Sequence, residues 1–438
     1  MMERHPFMTS RMSIRSLAAA TLLSLCLGAF VAPTVSAAPP SNDDFSARTS
    51  IGSVPANVTQ SIAEATMEGS EPASKCLQDH AGPEGSVWFQ YTPTTTVTVR
   101  ADTIGSDFAG GIAVYTGSSL GALSLVDCAD EIDQDDLVQA SSLTWVAHAN
   151  VAYKIQVLTF EDPAGRTLEL HLRKVTRPSN DDAAAATTIG KLPFSASFSN
   201  RSATHPSTQR EASCDDIGAD TWFRYTAPKN VTIQVDTLGS DYDTILAVYK
   251  GTSAASLSDI LGACNDDTSR GYDTYQSLVT FKAAKGKTYF FQVGGWHSSS
   301  GNTELTLRAV TRPSNDDYAT AEPIELDSLS PSVTTRKATW QPTEPVPPCA
   351  TFPGATRWYS VVLGGTSSLN IQVGSSSDEH MFAAVYSGSS LGGLSSEACA
   401  LEGVPDDTGA LPAGTYHVQV GGSDATSGKI VFVVSENP

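Results

Sequence analysis

Two identical pentapeptides, at residues 117–121 and 388–392, spell GSSLG and fit the G-x-S-x-G pattern of serine hydrolases. That pattern presents a nucleophile only where a strand enters a strained turn and leaves as a helix. Here it follows the strand-like runs IAVYT and AAVYS and leads into more Gly, Ser and Leu, the composition of a surface turn. The second copy reads GTSAA, and no histidine accompanies the motif in a matching place. The eight histidines are scattered, without HExxH, and no glycine-rich phosphate loop stands out, so the chain reads as a non-enzyme.

Acidic clusters offer a different chemistry. Asn180, Asp181, Asp182, Asp241, Asp243, Asn265, Asp266 and Asp267 supply the hard oxygen donors that Ca²⁺ prefers. Asn and Asp are also the common residues of turns and caps, and both readings stand. Exposed aromatics are the remaining signal. Trp296 in GGWHSSSG and Tyr272 with Tyr275 in RGYDTYQS fall in predicted loops, where a ring either stacks on a polymer or is partly buried by its own loop.

The elements that position these residues are strands. SVWFQYTP, TVTVRAD, GGIAVYTG and YKIQV in the first copy, and TWFRYTAP, VTIQVD, TILAVYKG and YFFQV in the second, are short runs rich in Val, Ile, Thr and aromatics. Turn residues bound them, and helical stretches are few. The pattern predicts antiparallel β-sandwiches of jelly-roll type. Trp88, Trp222 and Trp358 lie within such strands, and packing against the opposite sheet is their expected role.

The chain repeats itself. SNDD recurs with its serine at positions 41, 179 and 314, and the preceding residues twice read TRP. A tryptophan follows each serine after 43 to 47 residues, and a tyrosine follows each tryptophan after 27 or 28. A period of this length is a whole domain. We therefore divide the chain into a leader (1–37) and three sandwiches (38–176, 177–311 and 312–438). The SNDD phrase predicts an N-capped helical turn at the start of each, with Ser or Asn accepting free backbone N–H groups. Short linkers such as LRKVTRPSNDD predict beads at restricted angles.

Cysteine usage agrees with this division. Outside the leader the six cysteines fall two to a copy: Cys76 and Cys128, Cys214 and Cys264, Cys349 and Cys399. Of the 15 pairings open to six cysteines, the repeat selects one bridge inside each copy, because each copy must fold alone. Such bridges require an oxidising, exported setting. The leader agrees, with Arg4, Arg11 and Arg15 ahead of an apolar stretch and small residues before Ala38. That stretch is too short to span a bilayer, so a secreted, extracellular protein without a membrane association after cleavage is expected. Removing the leader leaves 24 basic against 46 acidic residues, and a net charge of −22 disfavours nucleic acid as a partner.

The NDD phrase, the W[FY]x[YV] strand, GSDYDTILAVYKG and the later CNDD together resemble the bacterial pre-peptidase C-terminal domain family, in three tandem copies. The second copy matches best. The first has Ala109 and Gly110 in place of the Asp-Thr pair, and the third reads CALE at Cys399. The resemblance implies secreted β-sandwich modules found beside exported enzymes, some of which bind calcium, so Ca²⁺ is the one cofactor to expect. The expected function is non-catalytic binding of an extracellular polysaccharide or protein through sandwich loops. The alternatives are a structural spacer or assembly protein at the cell surface, and an accessory protein to a secreted peptidase.

Overall fold

The computed structural model describes residues 38–72, 82–133, 138–206, 209–268, 275–297, 299–351, 354–375, 380–423 and 426–437. Cys76 and Tyr272 lie outside the described residues, as does the leader. Strands form where alternation predicts them. In Asn302–Val310, Thr303, Leu305 and Leu307 turn inward and Asn302 and Glu304 outward, the period-two signature of a strand with one wet face. Six sheets result, two for each of three sandwiches.

The second sandwich represents all three. Its larger sheet runs in the order Thr187–Ile189, Ile217–Thr226, Thr288–Trp296, Thr244–Lys250, Ser258–Asn265. The facing sheet runs Phe194–Ser199, Asn302–Val310, Val231–Asp236, Leu278–Ala283. Phe223, Phe281, Phe291 and Leu307 fill the space between them. The pairing is not purely antiparallel. The first strand of each sandwich, Thr49–Ile51, Thr187–Ile189 or Glu322–Pro323, lies parallel to the strand that carries the tryptophan.

Those tryptophans are buried, at 0%, 1% and 0% exposure, but not between the sheets. Alternation sends Phe223 into the core and Trp222 to the opposite face, where Tyr249, Phe290 and Cys264 make a second, smaller cluster. A repeated polar network completes this outer layer. Tyr115, Tyr249 and Tyr386 donate their hydroxyls to Gln156, Gln292 and Gln419. Each glutamine in turn donates to a carboxylate: Glu71 at 2.7 Å, Asp220 at 2.6 Å and Glu344 at 3.2 Å. A central strand such as Thr288–Trp296 is buried from Tyr289 to Gly295 because both of its faces are covered, Gln292 being the polar exception in its sequence.

The opening phrase forms a clasp instead of the expected cap. Short 3₁₀ turns do begin each sandwich, at Phe45–Ala47, Ala183–Ala185 and Tyr318–Thr320, yet Asp44, Asp182 and Asp317 at their N-caps make no side-chain cap bond, and the Phe45 and Tyr318 N–H groups donate instead to Glu68 and Gln341. The asparagine instead donates Nδ2 to the tryptophan carbonyl, Asn42 to Trp88, Asn180 to Trp222 and Asn315 to Trp358. The tryptophan N–H returns a bond of 2.8 Å to the asparagine carbonyl in all three. The first aspartate holds a threonine by both its backbone N–H and its hydroxyl: Asp43 with Thr66, Asp181 with Thr204, Asp316 with Thr339. These groups are engaged within the fold, so the turn is anchored to the central strand and not merely to itself.

Two bridges close within single sandwiches, Cys214 to Cys264 and Cys349 to Cys399, with Cα atoms 5.6 and 5.7 Å apart. The joints differ. At the second, Gln234 and Thr280 both donate to the Arg336 carbonyl, and Lys282 and Arg312 pair with Asp316 and Asp317. At the first, Thr144 reaches the corresponding Arg201 carbonyl at 3.5 Å.

Candidate functional site

Asp243 immediately precedes the strand Thr244–Lys250, and Asp266 and Asp267 immediately follow its hydrogen-bonded neighbour, Ser258–Asn265. The antiparallel register, with Leu246 opposite Asn265, brings the start of one strand beside the end of the other. Carboxylate oxygens of Asp243, Asp266 and Asp267 thereby lie within 4.8 Å of one another. A calcium ion about 2.4 Å from each of its ligands holds oxygens at such separations. Asp243 Oδ1, Asp266 Oδ1 and Asp267 Oδ1 are shielded from solvent.

The loop is built from its own side chains. Asn265, 1% exposed, donates to the Asp267 carbonyl at 2.7 Å and accepts the Leu278 N–H at 2.7 Å, so it shapes the turn. Gly239, at φ +100°, begins the GSDYD loop in a backbone region open mainly to glycine. Two candidate aromatics are tied through their backbones to Asp243 and Thr244. The Trp296 N–H donates to the Asp243 carbonyl at 3.2 Å, and the Tyr275 carbonyl accepts the Thr244 N–H at 2.9 Å. Trp296 is not in a loop as the sequence suggested: it ends the strand Thr288–Trp296, opposite Ile217, half-buried against the outer aromatic cluster and 4.1 Å from the His297 ring.

The other oxygen-bearing candidates serve elsewhere. Asp241 accepts from Asn302 N and Nδ2, both at 2.6 Å, and so pins the strand Asn302–Val310. Asn180, Asp181 and Asp182 belong to the opening turn, where Arg177 lies 2.7 Å from Asp181 and 3.6 Å from Asp182. The eight residues are therefore not one set. Three converge, and five maintain the fold around them.

The GSSLG motif sits on a surface 3₁₀ turn. Ser119 is exposed, and the turn runs over only Leu120–Ala122, with no following helix. Its first glycine has a structural reason: Gly117 has φ +126°, and an added Cβ would lie 2.3 Å from the Ala122 carbonyl oxygen. Gly388 repeats this at φ +121° against Gly393.

Sequence reading missed a titratable group. His205 lies 3.4 Å from Asp220 and 3.3 Å from Glu211. Burial opposes its charge, but these two carboxylates outweigh it and raise the imidazole to about 10. The signal was weak, since the third copy carries Trp340 where the second has His205.

No family model matches the chain, and no curated protein matches it. Among solved structures, an uncharacterised protein from Burkholderia cenocepacia is similar at 11% identity, over 53% of this chain and 78% of that one, with a TM-score of 0.21. A triple jelly-roll turret protein of an archaeal virus matches at 10% identity over 81% and 82%, with a TM-score of 0.16. Tripeptidyl peptidase 2 matches at 9% identity over 80% of this chain and 32% of its own, with a TM-score of 0.18.

Proposed function

We propose that this chain is an exported, non-catalytic protein that binds an extracellular polymer, polysaccharide or protein, through the loop end of its second sandwich. One observation carries the reading: Asp243, whose carboxylate converges with those of Asp266 and Asp267, is bonded through its backbone carbonyl to Trp296, and the next residue, Thr244, to Tyr275, so cation ligands and aromatic residues meet at one end of the sandwich. A bound Ca²⁺ would fix the loops and present the ring beside them. Placement of Ser119 on an exposed turn supports a binding role over hydrolysis. The resemblance to pre-peptidase C-terminal domains supports the same reading. Tandem sandwiches suit weak single sites, because linkage raises avidity.

The test is retention of the purified chain on insoluble polysaccharides and matrix proteins, with calcium and with chelator. Retention that is lost in Trp296→Ala and in chelator supports the proposal. Absence of retention on every polymer would favour the spacer reading, and retention indifferent to Trp296 would move the site elsewhere.

A further inference from the structure

The joint between the first and second sandwiches encloses two cavities of about 340 and 320 Å³, and Asp127 and Thr144 line both. The larger is charged, with Arg201, His205, Glu211 and Asp216 on its walls. The smaller is mostly apolar, walled by Val126, Trp145, Val146, Val151 and Tyr153; His148 and Arg177 also line it, and the Arg177 guanidinium is taken up by Asp181 and Asp182. Such concave, largely apolar sites with a few polar groups are where small ligands bind.

Asp127 has little to balance it. One oxygen accepts the N–H of the adjacent Cys128 at 2.9 Å, and the other takes no hydrogen bond from the described residues. His205 and Glu211 act on it with opposite signs, and His205 is itself engaged by Glu211 and Asp220. Burial therefore dominates and raises the Asp127 carboxyl to about 7. Beside it, the Trp145 indole N–H is buried without an acceptor among the described residues.

The second joint carries its own ammonium at the corresponding register position, beside an open pocket of about 430 Å³ that Lys282 and Arg312 line. Val146 pairs with Thr98 as Lys282 pairs with Thr232, and Lys282 extends its alkylammonium across that joint to Asp316 and Asp317. With valine at this position the first joint has no such ammonium, and the more apolar pocket there has none of the chain's own lysine in it. We propose that the first joint binds an organic cation, an ammonium on an apolar stem, with Asp127 as counter-ion and the stem against Val146, Val151 and Tyr153. This inference does not depend on the loop-end site.

Isothermal titration with n-butylammonium and its neutral analogue n-butanol tests it. The ammonium is expected to bind at least about tenfold more tightly than the alcohol, a difference of about 1.4 kcal/mol. Asp127→Asn should remove that difference, and Val146→Lys, which supplies the chain's own ammonium, should block binding while the protein stays folded by circular dichroism. Cadaverine and Nα-acetyl-lysinamide then distinguish a free polyamine from a lysine of a protein partner. Equal affinity for alcohol and ammonium, no binding of either, or full binding in a folded Val146→Lys protein would each overturn the proposal.

Discussion

Asn180 and Trp222 hold each other twice: the asparagine side chain donates to the tryptophan carbonyl at 3.0 Å, and the tryptophan N–H donates to the asparagine carbonyl at 2.8 Å. The pair joins the first turn of the second sandwich to its central strand. Asn180→Ala leaves a carbonyl in this strand without its side-chain donor, a loss of about 1–3 kcal/mol. Denaturant unfolding should report that loss, with Asn42→Ala and Asn315→Ala close behind. A change below about 0.5 kcal/mol at all three positions would mean the clasp contributes nothing beyond ordinary surface contacts.

Stability should fall as pH rises above mild acidity, for two separate reasons. Burial raises Glu344 from 4.5 to about 7 despite donors from Thr356 and Gln419, so the folded state holds a proton that the unfolded chain releases. That stabilisation is full below pH 4.5 and is lost as pH rises to about 7. His205, raised from 6.5 to about 10, contributes stability that is full below pH 6.5 and is lost as pH rises through 10. Thermal melts between pH 5 and 10 should show a declining Tm, and His205→Phe should flatten the upper part of that decline.

Replacing Cys214 and Cys264 together with serine frees a loop separation of 50 residues. The expected loss is about 2–5 kcal/mol, felt in the second sandwich. Non-reducing peptide mapping should recover Cys214 with Cys264 and Cys349 with Cys399. Bridges between different sandwiches would contradict the repeat.

Calcium should raise the Tm of the second sandwich by several degrees over chelator, and Asp243→Asn should abolish the increase while leaving the apo melt nearly unchanged. Calorimetry that finds identical melts in calcium and chelator would leave the three carboxylates as a turn structure alone.

Much of this architecture was legible in the sequence, because strand alternation and domain-length repetition are local or periodic signals. Phe223 and Phe291 point into the core as the pattern of their strands requires. The outer layer was not legible, since its acids do not keep the repeat: Glu71 and Glu344 come from loops and Asp220 from the strand Ile217–Thr226 itself. Glu71 lies 17 residues before Trp88, Glu344 lies 14 before Trp358, and Asp220 lies two before Trp222. All three reach the same glutamine position by different routes. At the candidate site the adjacency of Asp243, Asp266 and Asp267 depended on strand register, which composition does not specify. Asp241, Asp181 and Asp182 have the same residue type and were indistinguishable until their partners were seen.

The Arg336 carbonyl gives the array an uneven stiffness. Sandwiches two and three are fastened at the linker, at this carbonyl and at the Lys282 contacts. Between sandwiches one and two the corresponding Arg201 carbonyl is reached by a single longer bond, and Val146 stands where the lysine would be. Load passed along the array would therefore meet more polar fastenings between sandwiches two and three than between one and two.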